Sequence, residues 1–249
     1  MKWYHIILYQ LILSPTPLIA GDYTSVVNQL NPNTITIIGE THKHPESITL
    51  FKSLISGYLK QNKCLTVGLE IVSSQQVIID QVMKGRAVVS DIEISPIIDH
   101  PPFRKMINGL VNLQEKGKCL KLIAIDAGDD IELRRDQWMA IKLAKQIGKA
   151  PILVLLGNLH SLKKVNWDLS MTKGSTYVSE ILSSQGYDVK TYPQIWIDKA
   201  CDNQNRFIQT GKPEVLRLLN DSLISVLNAF KYKSAVGVID GVLLWECKT

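Results

Sequence analysis

The 249-residue chain contains no Gly-x-Ser-x-Gly nucleophile elbow, and its first strand-like run ends in Gly39-Glu40 where a phosphate-loop protein would open a glycine-rich turn. Serine hydrolysis and phosphate-loop nucleotide binding therefore lose their usual sequence basis. Charge of one sign is not in large excess: 28 Lys and Arg stand against 23 Asp and Glu, a formal net charge of +5 with no basic cluster. Nucleic acid is not an expected partner. Cysteine is scarce, four residues in all, and none has the close spacing of a structural zinc site. The apolar stretch near the start, Ile6 to Leu13, is too short to span a bilayer.

That stretch fits an export signal instead. Lys2 precedes it, Ser14-Pro15-Thr16-Pro17 interrupts it and Ala20 offers a cleavage position, so residues 1–20 read as a leader and the protein as periplasmic or secreted. A single Lys, and Leu18 where a smaller residue is usual, depart from the pattern; a buried first helix or strand is the other reading. No Cys follows the leader, which argues against a lipid anchor, and no stable membrane span is expected once it is removed. Residues 21–249 suffice for one domain with a substantial core, given a composition that is 45% apolar. Oligomeric state has no signature of this kind.

Cys64 and Cys119 occupy matching places, each between a Lys and a Leu at the start of a strand-like run. On neighbouring strands in an oxidising compartment they would bridge and leave Cys201 and Cys247 as a second pair. Free thiols fit the sequence equally well.

Beyond the leader, apolar runs of strand type alternate with segments of helical period. This predicts an α/β fold: a mainly parallel central sheet with helices on both faces. Helices are expected over Pro45–Leu59, Ser74–Met83, Phe103–Glu115, from Asp129 or Asp130 to Ile147, Val178–Ser184 and Glu214–Phe230. Residues 86–102, with Pro96, Pro101 and Pro102, read as an irregular excursion covering the polar site. Asp188 to Ile197 reads as a strand. The runs 235–239 and 242–245 flank Asp240-Gly241, a dipeptide favoured in two-residue turns, so the sheet is expected to end in an antiparallel hairpin.

Four strand-like runs finish on a polar side chain. Thr34–Ile38 leads into Gly39-Glu40-Thr41-His42, and Pro151–Leu156 into Gly157-Asn158-Leu159-His160; Leu65–Leu69 ends on Glu70, and Leu120–Ile125 on Asp126. Open parallel sheets bind ligands outside the carboxyl ends of their strands, so these endings predict one polar site. His42, Glu70 and His160, with Glu40 beside them, form a nitrogen and oxygen set suited to zinc, manganese or iron. Without metal, His42 could act as a general base oriented by a carboxylate. Arg134 and Arg135 fall in the next helix's first turns, where a cation opposes the helix dipole and a role with an anionic partner gains weight. His44 and His100 lie on loops within reach, and Asp126 could instead cap the following helix.

The segments IIGETHKHPES at 37–47, VGLEIVSSQQVIIDQVMKG at 67–85, and RRDQWMAIKL leading to ILVLLGNLH between 134 and 160 carry a family resemblance. In this order they resemble the ChaN-like haem-binding uptake family of the Tiki superfamily, which also includes TraB-type proteins and erythromycin esterases. The resemblance implies a shared polar site of His42, Glu70, Arg134 or Arg135, and His160, with Glu40 beside them. It implies haem or iron binding, in uptake, as the leading function, with haem or a divalent transition metal as cofactor. Other branches imply the alternative, a metal-dependent peptidase-like or metal-independent esterase-like hydrolase acting on a peptide or small molecule. Haem iron is held by His or Tyr, and Tyr177, Tyr187 and Tyr192 are available, although none lies in a matching motif.

Overall fold

A computed structural model describes residues 24–165, 176–197, 204–221 and 232–246. Strands β1 (Thr34–Glu40), β2 (Leu65–Val72), β3 (Leu120–Asp126) and β4 (Ile152–Gly157) are buried along almost their whole length. Continuous burial is what parallel strands covered on both faces require, and it explains why they read as unbroken apolar runs. Two further strands, β5 (Asp188–Trp196) and β7 (Gly241–Glu246), continue the parallel set, and β6 (Gln204–Gln209) closes the edge antiparallel to β7. The order is β3-β2-β4-β1-β5-β7-β6, so β2, β4 and β1 are neighbours although distant in sequence.

Alternation along each strand assigns side chains to two layers. Ile38, Val67, Leu69, Leu122, Leu153 and Leu155 face helices α2 (Pro45–Leu59), α3 (Gln76–Met83) and α4 (Pro101–Glu115), with Phe51, Ile79 and Met106 as their partners. Ile35, Ile37, Ile123, Ile125, Val154 and Leu156 face α5 (Arg135–Ala144) and α6 (Val178–Ser184) through Met139, Leu143, Val178 and Leu182. A short helix α1 (Thr24–Asn28) packs Val26 and Val27 beside α2, and α7 (Pro213–Asp221) covers the β6–β7 end. Among the described residues no helix is long and apolar enough to cross a membrane.

Cys64 and Cys119 form a disulfide, Cα to Cα 4.5 Å, because the register pairs Leu65 with Leu120 and brings the two strand starts together. Cys201 and Cys247, like the leader, lie outside the described residues.

The structure corrects several expected boundaries. Helix α4 starts at Pro101, since a proline lacking its N–H fits the first helical position, so the irregular segment ends before it. That segment is fastened to α4 by Arg104, which pairs with Asp99 at 2.7 Å and donates to the Val89 carbonyl at 2.8 Å. Helix α5 begins at Arg135, not at Asp129 or Asp130. The Asp240-Gly241 hairpin does not form: the chain turns over 235–239 with Gly237 at φ 81°, and Asp240 instead accepts from Thr191 N at 2.9 Å and Lys163 Nζ at 2.7 Å. The antiparallel edge exists, but its partner for β7 is β6.

Candidate functional site

The two Gly-x-x-His endings interlock. Glu40 on β1 lies opposite Gly157 on β4, and a Cβ on Gly157 would stand 3.2 Å from His42 Nε2 and 3.6 Å from His160 Cδ2. Reciprocally, a Cβ on Gly39 would stand 2.5 Å from Asn158 Oδ1. Each motif's glycine therefore makes room for a polar side chain of the other. Asn158 uses that room to reach across β1 and clasp the β5 backbone, accepting from Gln194 N at 3.1 Å and donating to Gln194 O at 2.8 Å.

His42 is held by the strand end from which it departs. Its Nδ1 meets Glu40 Oε1 at 3.1 Å, and the Glu40 carboxylate, only 5% exposed, also accepts from Ser47 Oγ at 3.4 Å. Burial pushes the Glu40 carboxyl up, opposed by its hydrogen bond from His42. The same bond raises the His42 imidazole, against the opposing effect of desolvation, with the charge of Glu70 adding to the rise. His42 is 28% exposed, and among the described residues no hydrogen bond engages its Nε2.

The second histidine is tethered in the same sense. His160 lies in the short 3-10 turn Asn158–Ser161 after β4, and its Nδ1 meets Asp136 Oδ1 at 2.6 Å. Its Nε2 faces Arg135 Nη1 at 3.4 Å. Guanidinium only donates, so Nε2 carries the lone pair and Nδ1 the proton given to Asp136. Tyr177 packs edge-on against this imidazole, ring centres 5.5 Å apart, and its own hydroxyl is pushed up by burial and by the charge of Asp136.

Arg135 joins the carboxylates at the ends of β2 and β3. It forms a two-pronged pair with Asp126, 2.7 and 2.8 Å, and a close contact with Glu70 Oε1, while Glu70 Oε2 accepts from Gly157 N at 2.9 Å. The two carboxylates raise the already high Arg135 value further, Asp126 first. An arginine at the first position of a helix gains nothing from the helix dipole; these two acids supply the compensation.

Glu40, His42, Glu70, Arg135 and His160 thus converge, with Asp126 as a full member and no cap. Arg134 does not join them: it is exposed and occupies the N-cap of α5. The set His42, Glu70 and His160 is not assembled as metal ligands. Among the described residues no three His, Cys, Asp or Glu side chains are grouped to hold an ion, and the Arg135 guanidinium takes the Glu70 oxygen that faces His160. His44 sits beside rather than within the cluster, tilted against Trp196 with ring centres 4.4 Å apart and bonded to Glu46 at 2.7 Å. His100 lies at the start of α4 against Phe103, where burial lowers its imidazole. Tyr192 is committed to Gln29 by a 2.8 Å hydrogen bond in the core, and Tyr187 lies on the surface. Sequence reasoning missed Asp136, Ser47, Asn158 and Gln194. Two carried a signal: Asp136 as the acid directly after Arg135, and Asn158 as a member of the second Gly-x-x-His ending.

No protein-family model matches the chain, and neither does any curated protein. Two solved structures share its architecture. One is ChaN of Campylobacter jejuni, described with haem bound cofacially, at 10% identity and a TM-score of 0.55, covering 90% of this chain and 92% of that one. The other is a protein of Bacillus cereus, at 10% identity and a TM-score of 0.63, covering 89% of this chain and 91% of that one. The chain therefore has an α/β, ChaN-like fold.

Proposed function

We propose that this is an exported protein that binds haem or iron at the carboxyl ends of its parallel strands, with His42 as the iron ligand. The observation that carries the reading is the posture of His42: Nδ1 is held by the buried Glu40 carboxylate, while Nε2 is engaged by no hydrogen bond among the described residues and the side chain is 28% exposed. A carboxylate behind an imidazole orients ligating histidines and raises their basicity. Haem would ask fewer ligands of the protein than a free ion, so a single oriented imidazole such as His42 would hold it without a three-residue cluster. Arg135, 45% exposed, is the cation placed to meet a propionate. The Cys64–Cys119 disulfide supports an oxidising compartment, and residues 21–249 as a single domain with 86–100 as its cover complete the reading. Titration of purified protein with haem tests it: a Soret shift is expected, weakened at least tenfold in His42→Ala. No shift in the unmodified protein overturns haem binding.

The Glu40–His42 pair, with the Arg135 charge near it, favours a hydrolase as the other reading. His42 Nε2 would take a proton from water, Glu40 would steady the imidazolium, and Arg135 would face negative charge developing on the substrate. The esterase-like form needs no metal. The metal-dependent form would need Glu70 released from Arg135. Ester and peptide substrates tested with His42→Ala and Glu70→Gln decide it: unchanged turnover in both variants rejects the hydrolase.

A further inference from the structure

Helices α2 and α4 lie side by side on one face of the sheet and enclose a cavity of about 430 Å³ along their N-terminal halves, a volume within the range of small-molecule sites. Its floor is apolar. Ile48 and Met106 are almost wholly buried, and Pro45, Pro101 and Pro102 line the end at which both helices begin. Among the described residues its only charged lining is Lys52 and Lys105, both exposed, and neither ammonium has an ion-pair or hydrogen-bond partner there. Glu46, the acid next to Pro45, is already taken by His44 and by Trp196 Nε1, each at 2.7 Å.

The lysines stand away from the prolines. Lys52 comes two helical turns after Pro45, about 10 Å of rise, and its Nζ lies 3.3 Å from where a Cβ on Gly109 would be. Gly109 follows Lys105 by one turn on the same side of α4, so both ammoniums belong to one end of the groove. A glycine inside a helix is unfavourable relative to alanine, and here it clears the space across which Lys52 lies. The cavity thus has an apolar end and a cationic end.

We propose that this cavity is a second binding site, separate from the strand-end cluster, for a single-chain fatty acid whose hydrocarbon lies over Ile48 and Met106 and whose carboxylate meets Lys52 and Lys105. Charge complementarity selects the occupant: an uncharged chain would leave both ammoniums unanswered, and a cationic one would be repelled. Burial of the chain supplies affinity, and the lysines supply the choice of head group. No residue of the His42 cluster takes part, so the inference goes beyond the functional reading and does not depend on it.

The test is NMR titration of the full chain carrying 13C in its methionine methyl groups, with the Met106 signal assigned by its loss in Met106→Leu. Dodecanoate, below its micelle-forming concentration, is expected to move that signal to saturation, and dodecylammonium is expected to bind more weakly by roughly tenfold or more, the scale of a lost charge-assisted hydrogen bond. Lys52→Gln/Lys105→Gln should weaken dodecanoate by roughly tenfold on the same scale, and the variant keeps its fold because both side chains are exposed. Gly109→Ala should weaken it by roughly threefold without lowering the melting temperature, since alanine favours the helix and only the flexible end of Lys52 must move. A Met106 signal that dodecanoate leaves in place, equal binding of dodecanoate and dodecylammonium, or undiminished binding in the double lysine variant overturns the proposal. Haem titration is a separate readout, so its failure rejects haem binding without touching this result.

Discussion

His42 Nε2 occupies space that exists because Gly157 has no side chain, with only 3.2 Å separating it from where a Cβ would be. The backbone at Gly157, φ −55° and ψ 143°, is open to alanine, so steric contact alone is at issue. Because His42 is partly exposed, its ring can swing outward. Gly157→Ala is expected to cost about 1 kcal/mol or less in stability while weakening ligand binding or turnover at least tenfold. Thermal melting and haem titration on the same sample check both halves.

Gly39→Ala should behave in the opposite way. Its Cβ would meet Asn158 Oδ1 at 2.5 Å and the Asn158 backbone at 3.1 Å, neither of which can yield while Asn158 clasps β5. A stability loss of about 2–3 kcal/mol is expected. Chemical denaturation that ranks Gly39→Ala no worse than Gly157→Ala would contradict this account of the interlock.

Arg135 and Arg134 are adjacent in sequence but unequal in consequence. Arg135→Ala leaves Glu70 and Asp126, both nearly buried, without their cation, and should cost about 2–3 kcal/mol, less than a fully buried pair because Arg135 reaches water. Arg134→Ala should stay within about 0.5 kcal/mol. Parallel denaturation curves of the two variants measure the contrast.

The Cys64–Cys119 bridge spans a sequence separation of 55. Constraining a loop of that size in the unfolded chain stabilises by about 4 kcal/mol on the chain-entropy estimate. Cys64→Ser/Cys119→Ser should therefore melt well below the unmodified protein, and added reductant should lower the melting point of the unmodified protein by more than that of the variant.

The pH dependence follows from the raised His42 value. A group raised in the folded state contributes stability that is complete below its unfolded value, near 6.5, and is lost as pH rises through the folded one. The stability difference between the unmodified protein and His42→Gln should accordingly be larger at pH 6 than at pH 9. Equal differences at both pH values would show that the Glu40–His42 hydrogen bond does not hold the proton.

Much of this molecule was legible from residue order. The apolar runs at 34–38, 65–69, 120–125 and 151–156 specify buried parallel strands, because only strands covered on both faces bury every side chain, and the helix over Pro45–Leu59 follows from its apolar stripe. The polar residues that terminate those runs mark the site, since the carboxyl ends of parallel strands share one edge. What residue order could not supply was adjacency. Asp240-Gly241 carries hairpin chemistry, yet Asp240 is taken by Lys163 and Thr191, and β6 arrives as the partner of β7. Arg135 and Arg134 look alike until the β3-β2 edge places two acids within reach of only one. Gln194 and Ser47, 147 residues apart, carry no local pattern at all. Local periodicity determines which segments are strands and where they end, whereas the pairing of β1 with β4 and β5 brings Gly157, Asn158 and Gln194 around His42, a long-range choice made by burial on both faces of the sheet.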